Sequence, residues 1–277
     1  GGVIGDTMAA LLAAAGYEVT REFYYNNAGK QMRALGESLR ARYLQALGRE
    51  AEVPEGGYQG DYLVETARAL AESEGDRLAG EGWEAFKALA EGEIAAGQRR
   101  TLDRLGIRMD VFFNEASLYD DGTVWATLDA LRARGHVYER EGATWLRASA
   151  LGGTEDRVVV KSTGEPTYRL PDIAYHVGKL ARGFDLVIDV LGADHKDAFP
   201  DVLRGLEALG GDAGRIKLLM NQFVTFKGGR MSKRAGRFLT LDELIDDVGA
   251  DVTRYFLLMR AAETHLEFDL DLAVEQS

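Results

Sequence analysis

Apolar and polar positions along this chain alternate between a helical period and strand-like runs. Ile4, Met8, Leu11, Leu12 and Ala15 fall at helical spacing and give one apolar face. Gly16 stands where the C′ residue of that helix belongs. Tyr17 to Tyr25, rich in aromatic and β-branched residues, predicts a strand. Asn26-Asn-Ala-Gly29 reads as a turn. A long helix follows from Lys30 to Leu47, with Met32, Leu35, Leu39, Tyr43 and Leu47 as its stripe. Helix, glycine and strand make half of an α/β unit.

Residues 48 to about 108 change character. A polar loop with Pro54, Gly56 and Gly57 leads to helices near 61–73 and 82–105, rich in Ala, Glu and Arg, which predicts a helical insertion. From Asp110 the pattern is mixed. Asp110 to Phe113 is a short strand, Thr123 to Arg134 a helix, and 135–146 a hairpin turning at Glu141-Gly142. Arg157 to Ser162 is another strand, ending in the turn Thr163-Gly-Glu165. A helix over 172–182 precedes the dense apolar run Asp185 to Leu191, which has the character of a buried parallel strand. After Gly192-Ala-Asp-His195 a helix runs to Leu209 and a strand from Ile216 to Phe226. This order is a βαβ unit, and ligands of open α/β sheets sit at the carboxyl ends of strands.

Composition narrows the picture. The 277 residues, 46% of them hydrophobic, suffice for one large or two modest domains. No apolar run approaches the roughly 20 residues of a membrane span, and no signal peptide pattern is present. There is no Cys, and the four His lie far apart, so neither zinc nor another protein-bound metal is expected. A reducing cytoplasm fits. The net charge of −12 argues against sequence-blind nucleic-acid binding, DNA included, while leaving room for local basic patches.

One such patch is Phe226-Lys-Gly-Gly-Arg-Met-Ser-Lys-Arg-Ala-Gly-Arg237. Gly228, Gly229 and Gly236 free the backbone, and Lys227, Arg230, Lys233, Arg234 and Arg237 concentrate positive charge. A capping box, Thr240-x-x-Glu243, starts a helix just beyond. Strand, basic glycine loop and helix start suit a bound polyphosphate. A solvated basic hairpin tip fits the same composition.

Five stretches carry a resemblance. Gly192-Ala-Asp-His195 and Arg230-Met-Ser-Lys-Arg234 resemble the second half of a class I aminoacyl-tRNA synthetase core, the latter its KMSKS signature. Tyr168-Arg-Leu-Pro-Asp-Ile-Ala-Tyr-His176 and Gly16 to Gln31 resemble arginyl-tRNA synthetases in particular. So does the tail, Val252 to Arg260 through Phe268-Asp-Leu-Asp271. The implied fold is α/β, a Rossmann-like parallel-sheet nucleotide-binding core of the HUP type with a helical and mixed insertion between its halves. The expected divisions are 1–47 for the first half, 48–160 for the insertion, 161–240 for the second half and 241–277 for a helical junction. In this family the HIGH signature precedes the helix that here begins at Gly1, and an anticodon-binding domain would follow Ser277. The stretch by itself is therefore expected to be inactive.

The resemblance implies activation of L-arginine by ATP, with Mg2+ as part of the substrate complex, and transfer to the terminal adenosine of tRNA(Arg). Lys233 is the implied stabiliser of charge on the pyrophosphate, with Ser232, Met231, Arg230 and Arg234 as the rest of the signature. Arg230 replaces its first lysine, keeping charge but not shape, and nothing in the sequence explains Arg237 where many relatives carry Asn. Gly192, Asp194 and His195 are implied on the nucleotide, and His195 on the nucleotide or the amino acid. Tyr168 and Asp172 are implied on arginine, since carboxylate and guanidinium pair bidentately. Glu165 is the weaker alternative carboxylate. From residues alone Asp172 and Asp194 also read as helix N-caps, and His195 as a strand-end histidine with its own partners. Asn26, Asn27 and Gln31 read equally as substrate or tRNA contacts and as a structural turn. Other class I synthetases, a non-catalytic tRNA-binding paralogue and a tRNA-independent adenylyl transferase are the competing classes.

Overall fold

The computed structural model describes residues 1–27, 30–222, 224–226 and 240–275. They form two compact units, residues 25–104 and residues 1–24 with 105–277. These boundaries differ from the expected divisions at 47/48 and 160/161.

The unit of residues 25–104 is helical: α2 (Lys30–Ala46), α3 (Asp61–Glu74) and α4 (Trp83–Arg104). Met32, Leu35, Leu39 and Tyr43 of α2 bury against Leu63 and Ala67 of α3 and Phe86 and Ala90 of α4. That is the stripe read from the sequence, and it draws α2 into this unit. Gly36 lets two of the helices meet closely, since a Cβ there would stand 2.5 Å from the Trp83 carbonyl oxygen.

The larger unit opens with α1 (Gly2–Ala14) and β1 (Glu22–Tyr25) and resumes at β2 (Val111–Asn114), which pairs with β1. Of the strand expected over Tyr17 to Tyr25, only its last four residues pair. Next come α5 (Ser117–Asp120), α6 (Thr123–Ala133), β3 (Val137–Arg140), β4 (Ala143–Leu146) and β5 (Arg157–Val160). β3 and β4 form the expected hairpin, with Arg140 opposite Ala143. Glu141 and Gly142 both take positive φ, 54° and 75°, which is the twist a two-residue hairpin turn requires. β5 adds to β4, giving a three-stranded antiparallel sheet.

α7 (Arg169–Ala181), β6 (Val187–Gly192), α8 (Phe199–Ala208) and β7 (Ile216–Asn221) follow. β6 and β7 are parallel and in register from Val187↔Ile216 to Gly192↔Asn221, so strand, helix, strand is the predicted βαβ unit. The run read as one strand to Phe226 is two. β7 stops at Asn221, the Gln222 N–H donates to the Ala262 carbonyl, and β8 (Val224–Phe226) pairs in parallel with β9 (Leu266–Phe268). The polar pair Asn221-Gln222 falls where the partner changes. The basic loop therefore follows β8 rather than the end of β7. Thr240 caps α9 (Leu241–Val248) with both halves of the capping box made, and α10 (Ala250–Leu258) and α11 (Leu270–Glu275) close the chain.

The core of this unit joins Leu128, Leu131, Leu146 and Val159 to Leu170, Ile173 and Val202. It ties 118–160 to α7 and α8. α7 and α8 approach so closely that a Cβ on Gly205 would run into the Ile173 side chain. Behind this apolar face lies a charged one. His176 and Lys179 of α7 are buried with Asp189 of β6. The Lys179 ammonium donates to one oxygen of Asp189, and His176 Nε2 lies 2.9 Å from the other. His176 Nδ1 is 2.7 Å from the Asp172 carbonyl oxygen. Both ring nitrogens thus face oxygen atoms. Burial works against the Asp189 charge, but the His176 hydrogen bond and the Lys179 charge outweigh it and hold the carboxyl below its usual range.

Two outcomes follow for stability. Gly205→Ala should destabilise the protein by about 1–3 kcal/mol through overpacking, less about 1 kcal/mol gained in helix propensity. Urea unfolding should show Ile173→Val recovering much of the loss in the same chain. Asp189→Asn leaves the buried Lys179 ammonium without its anion and should cost about 3–5 kcal/mol near neutral pH. Because the folded carboxyl is depressed, its contribution is complete above the unfolded pKa and is lost as pH falls through the folded one. The gap between the parent and the Asn variant should therefore narrow in unfolding titrations taken progressively into acid.

Candidate functional site

Three segments of the larger unit bring candidate residues together: the start of α7, the carboxyl end of β6 and the stretch just past β2. α7 begins at Arg169, with Tyr168 in the N-cap position and no side chain capping it. Asp172 is thus the fourth helical residue, and its N–H donates to the Tyr168 carbonyl at 3.2 Å. The capping role that Pro171-Asp172 allowed is not taken. Pro171 sits within the first turn, where a missing N–H costs nothing.

Burial pushes the Asp172 carboxyl above its ordinary range, the charges of His176, His195 and Lys179 pull it back, and Asp189 adds to the rise. His195 is therefore close enough to feel Asp172, which joins the end of β6 to the start of α7. Tyr168 is 55% exposed. The Arg169 guanidinium lies over its ring, 5.0 Å from the centroid, and Arg169 Nε is 3.3 Å from Asp201. That carboxylate is buried and also receives Arg157 at 3.0 Å and Arg204 at 2.9 Å.

Gly192 ends β6 and opens a short 3-10 turn, Ala193–His195. Its φ of −69° is open to any residue. The Asp194 carboxylate folds back into the space a Cβ would fill. Asp194 is exposed and lies 3.7 Å from His195 Nε2. It makes no cap either: α8 has Ala198 at its N-cap position. Asp194 and His195 thus present polar groups at a strand's carboxyl end, opposite Asn221 of β7.

The pattern of the sequence did not single out Glu115, Tyr24 or Tyr119. Glu115 follows β2 directly and is only 8% exposed. Burial raises its carboxyl, a hydrogen bond from Tyr24 lowers it, and the charge of Asp172 raises it again. Tyr119 feels both carboxylates and, mainly by burial, is pushed up to about 12. Inward and outward positions alternate along β2, so Glu115 falls on the inward register. A carboxylate at an inward position was the available signal.

Asn26, Asn27 and Gln31 belong to the helical unit; Asn27 is buried, while Asn26 and Gln31 are exposed. Arg230, Met231, Ser232, Lys233, Arg234 and Arg237 lie outside the described residues. Among the described residues no group of three or more His, Cys, Asp or Glu is placed to hold a metal ion, and no helix is long and apolar enough to cross a membrane.

Curated relatives include an arginine–tRNA ligase of Desulfotalea psychrophila, 51% identical over 99% of this chain and 51% of its own length. Another, of Chlorobium phaeovibrioides, is 50% identical over 100% of the chain and 52% of its own. The chain thus spans about half the length of the curated relatives it matches. Among solved structures, one described as an arginyl-tRNA synthetase from Campylobacter jejuni superposes with a TM-score of 0.88 at 32% identity, covering 98% of this chain and 61% of that one. The Thermus thermophilus arginyl-tRNA synthetase shares the fold at a TM-score of 0.71 and 20% identity, over 99% of this chain and 57% of that one. The family model for the catalytic domain of class I tRNA synthetases (R) matches residues 1–259. On that match, and on the identity of its relatives, the chain belongs to the class I arginyl-tRNA synthetase family, in its catalytic domain.

Proposed function

We propose that this chain is the catalytic core of an arginine–tRNA ligase. It activates L-arginine with ATP and passes the arginyl group to the 3′-terminal adenosine of tRNA(Arg). The observation that carries this reading is Asp172. It is a half-buried carboxylate without a capping duty, set beside the sheet end that bears Gly192, Asp194 and His195. A half-buried carboxylate beside a nucleotide-type strand end suits an amino acid whose side chain is a cation.

In the first step the arginine carboxylate attacks the α-phosphate of ATP, and the bond to pyrophosphate breaks. ATP enters with Mg2+ as its substrate complex. In the second, a ribose hydroxyl of the tRNA end attacks the arginyl carbonyl and AMP leaves. Neither step needs a covalent nucleophile on the protein, so the work is alignment and charge stabilisation. Asp172 and the Tyr168 ring orient the side chain of arginine. Gly192 gives the nucleotide a close approach, Asp194 accepts from ribose hydroxyls, and His195 stands between nucleotide and amino acid. Lys233, with Arg230, Ser232 and Arg234 around it and Met231 in the same signature, meets the charge that builds on the pyrophosphate. Asn26, Asn27 and Gln31 are candidate contacts for the tRNA end. The reading carries a cytoplasmic location with it.

Two substitutions in the full-length enzyme test this assignment. Asp172→Asn should raise the KM for arginine far more than the KM for ATP; equal effects on both would remove Asp172 from the arginine site. Lys233→Ala should slow arginine-dependent ATP–pyrophosphate exchange, assayed with tRNA present, by about 10²–10³-fold if it behaves as an oxyanion-type donor. Arginine affinity measured by calorimetry should stay near the parent value. Exchange stimulated by another amino acid and not by arginine would refute the specificity.

A further inference from the structure

Three guanidiniums converge on the buried Asp201 carboxylate. One of its oxygens faces Arg157 Nε at 3.0 Å and Arg169 Nε at 3.3 Å, and the other faces Arg204 at 2.9 Å. The exposed Glu155 is a second partner for Arg157. The Gly152 carbonyl oxygen lies 3.5 Å from the other terminal nitrogen of Arg204. Three cations thus stand against two carboxylates, and one positive charge is left over.

The excess falls on Arg169. It meets Asp201 through Nε. Its two terminal nitrogens, the edge that grips an oxyanion side by side, have no acceptor among the described residues, and neither is shut away from solvent. The side chain is only 16% exposed. A guanidinium so placed is largely dehydrated while its outer edge stays open, which favours an incoming anion. Bracing does not account for Arg169, because α7 and α8 are already locked where Ile173 meets Gly205. Its guanidinium also covers the ring of Tyr168, 5.0 Å from the centroid. Tyr168 is exposed and stands at the start of α7, beside the candidate site. The spare charge therefore lies on the rim of the place that the tRNA end has to reach.

We infer that the Arg169 guanidinium, with Arg157 and Arg204 behind it, binds a backbone phosphate within the last three nucleotides of the tRNA. This rests on the arginine–tRNA ligase reading given above. A phosphodiester offers two oxygens that match the edge of a guanidinium. ATP also carries phosphates, but in that reading they belong to Lys233 and its neighbours. The net charge of −12 sharpens the effect. An anionic strand is repelled by most of the surface and drawn to a local excess of positive charge, which sets the path of the 3′ end.

The test is binding of tRNA(Arg) to the full-length enzyme over a series of salt concentrations. Arg169→Gln should weaken binding about three- to tenfold at low salt. It should also reduce the slope of log Kd against log salt by about 0.7, the share of one phosphate on a single strand. Arg169→Lys keeps the charge and should keep the parent slope. With tRNA(Arg) lacking its three 3′-terminal nucleotides, the parent and Arg169→Gln should bind nearly alike. ATP affinity should stay within about twofold of the parent. If Arg169→Gln fails to fold, Arg204→Gln replaces it, with a smaller loss of the same kind and the same dependence on the 3′ nucleotides. A parent-like slope in the Gln variant, even with weaker binding, would reduce the cluster to a structural role and overturn the inference. So would a full difference that persists on the shortened tRNA, or weakened ATP binding with tRNA binding unchanged. Arginine-dependent ATP–pyrophosphate exchange by the parent enzyme reports separately on the ligase reading, which stands if that exchange is seen and falls if only another amino acid supports it.

Discussion

Helix α7 is held from behind by a buried ion cluster, and the candidate site depends on that hold. Asp189 takes Lys179 on one oxygen and His176 on the other, while the same imidazole reaches the Asp172 carbonyl. The cluster thus fixes the rotation of α7 about its axis relative to β6. Rotation decides which way residue 172 faces and how far Tyr168 stands from the end of the strand. A purely apolar contact would tolerate sliding by a rotamer, whereas two hydrogen bonds to one carboxylate do not. Buried ion clusters are costly to assemble, and the cost is tolerable here because each donor has an acceptor.

A second brace acts on an adjoining face of the same helix. Glu22 of β1 accepts from the Tyr175 hydroxyl and pairs with both terminal nitrogens of Arg182, at 2.6 and 3.1 Å. Burial opposes the Glu22 charge, yet these partners hold its carboxyl below the ordinary range. β1, α7 and β6 are joined by directional bonds as well as by packing. Asp172 lies on the braced helix itself, so polar architecture and candidate chemistry share one scaffold.

Much of this was legible in the sequence because the signals were local. The stripe on α2, the Glu141-Gly142 turn and the Thr240 capping box each depend on residues within a few positions of one another. The βαβ unit was legible because a strand buried on both faces has few ways to be anything else. What escaped needed partners from far along the chain. The change of sheets at Gln222 within 216–226 escaped because the choice between β6 and β9 is made by residues 29 and 42 positions away. α7 begins three residues earlier than Pro171 suggested, since proline is compatible with several positions in a first turn. Tyr168 and Asp172 were picked out by resemblance rather than by pattern. Glu115 was missed because one more acidic residue after Phe112-Phe113-Asn114 carries no mark of burial, and only the packing of Tyr24 and α7 around it supplies one.

The three guanidinium groups on Asp201 have a consequence of another kind. Arg157, Arg169 and Arg204 come from β5, α7 and α8 and share one buried counter-ion. Removing one arginine lets the remaining two relax toward the freed lone pairs and relieves their mutual repulsion. Removing the aspartate takes this carboxylate from all three at once and leaves Arg157 with Glu155 alone. Energies of substitutions at these four positions are therefore strongly non-additive. Selection acting on the cluster would see single arginine losses as mild and the aspartate as nearly immovable, so that sequence drift at β5, α7 and α8 is coupled through a residue that itself stays fixed.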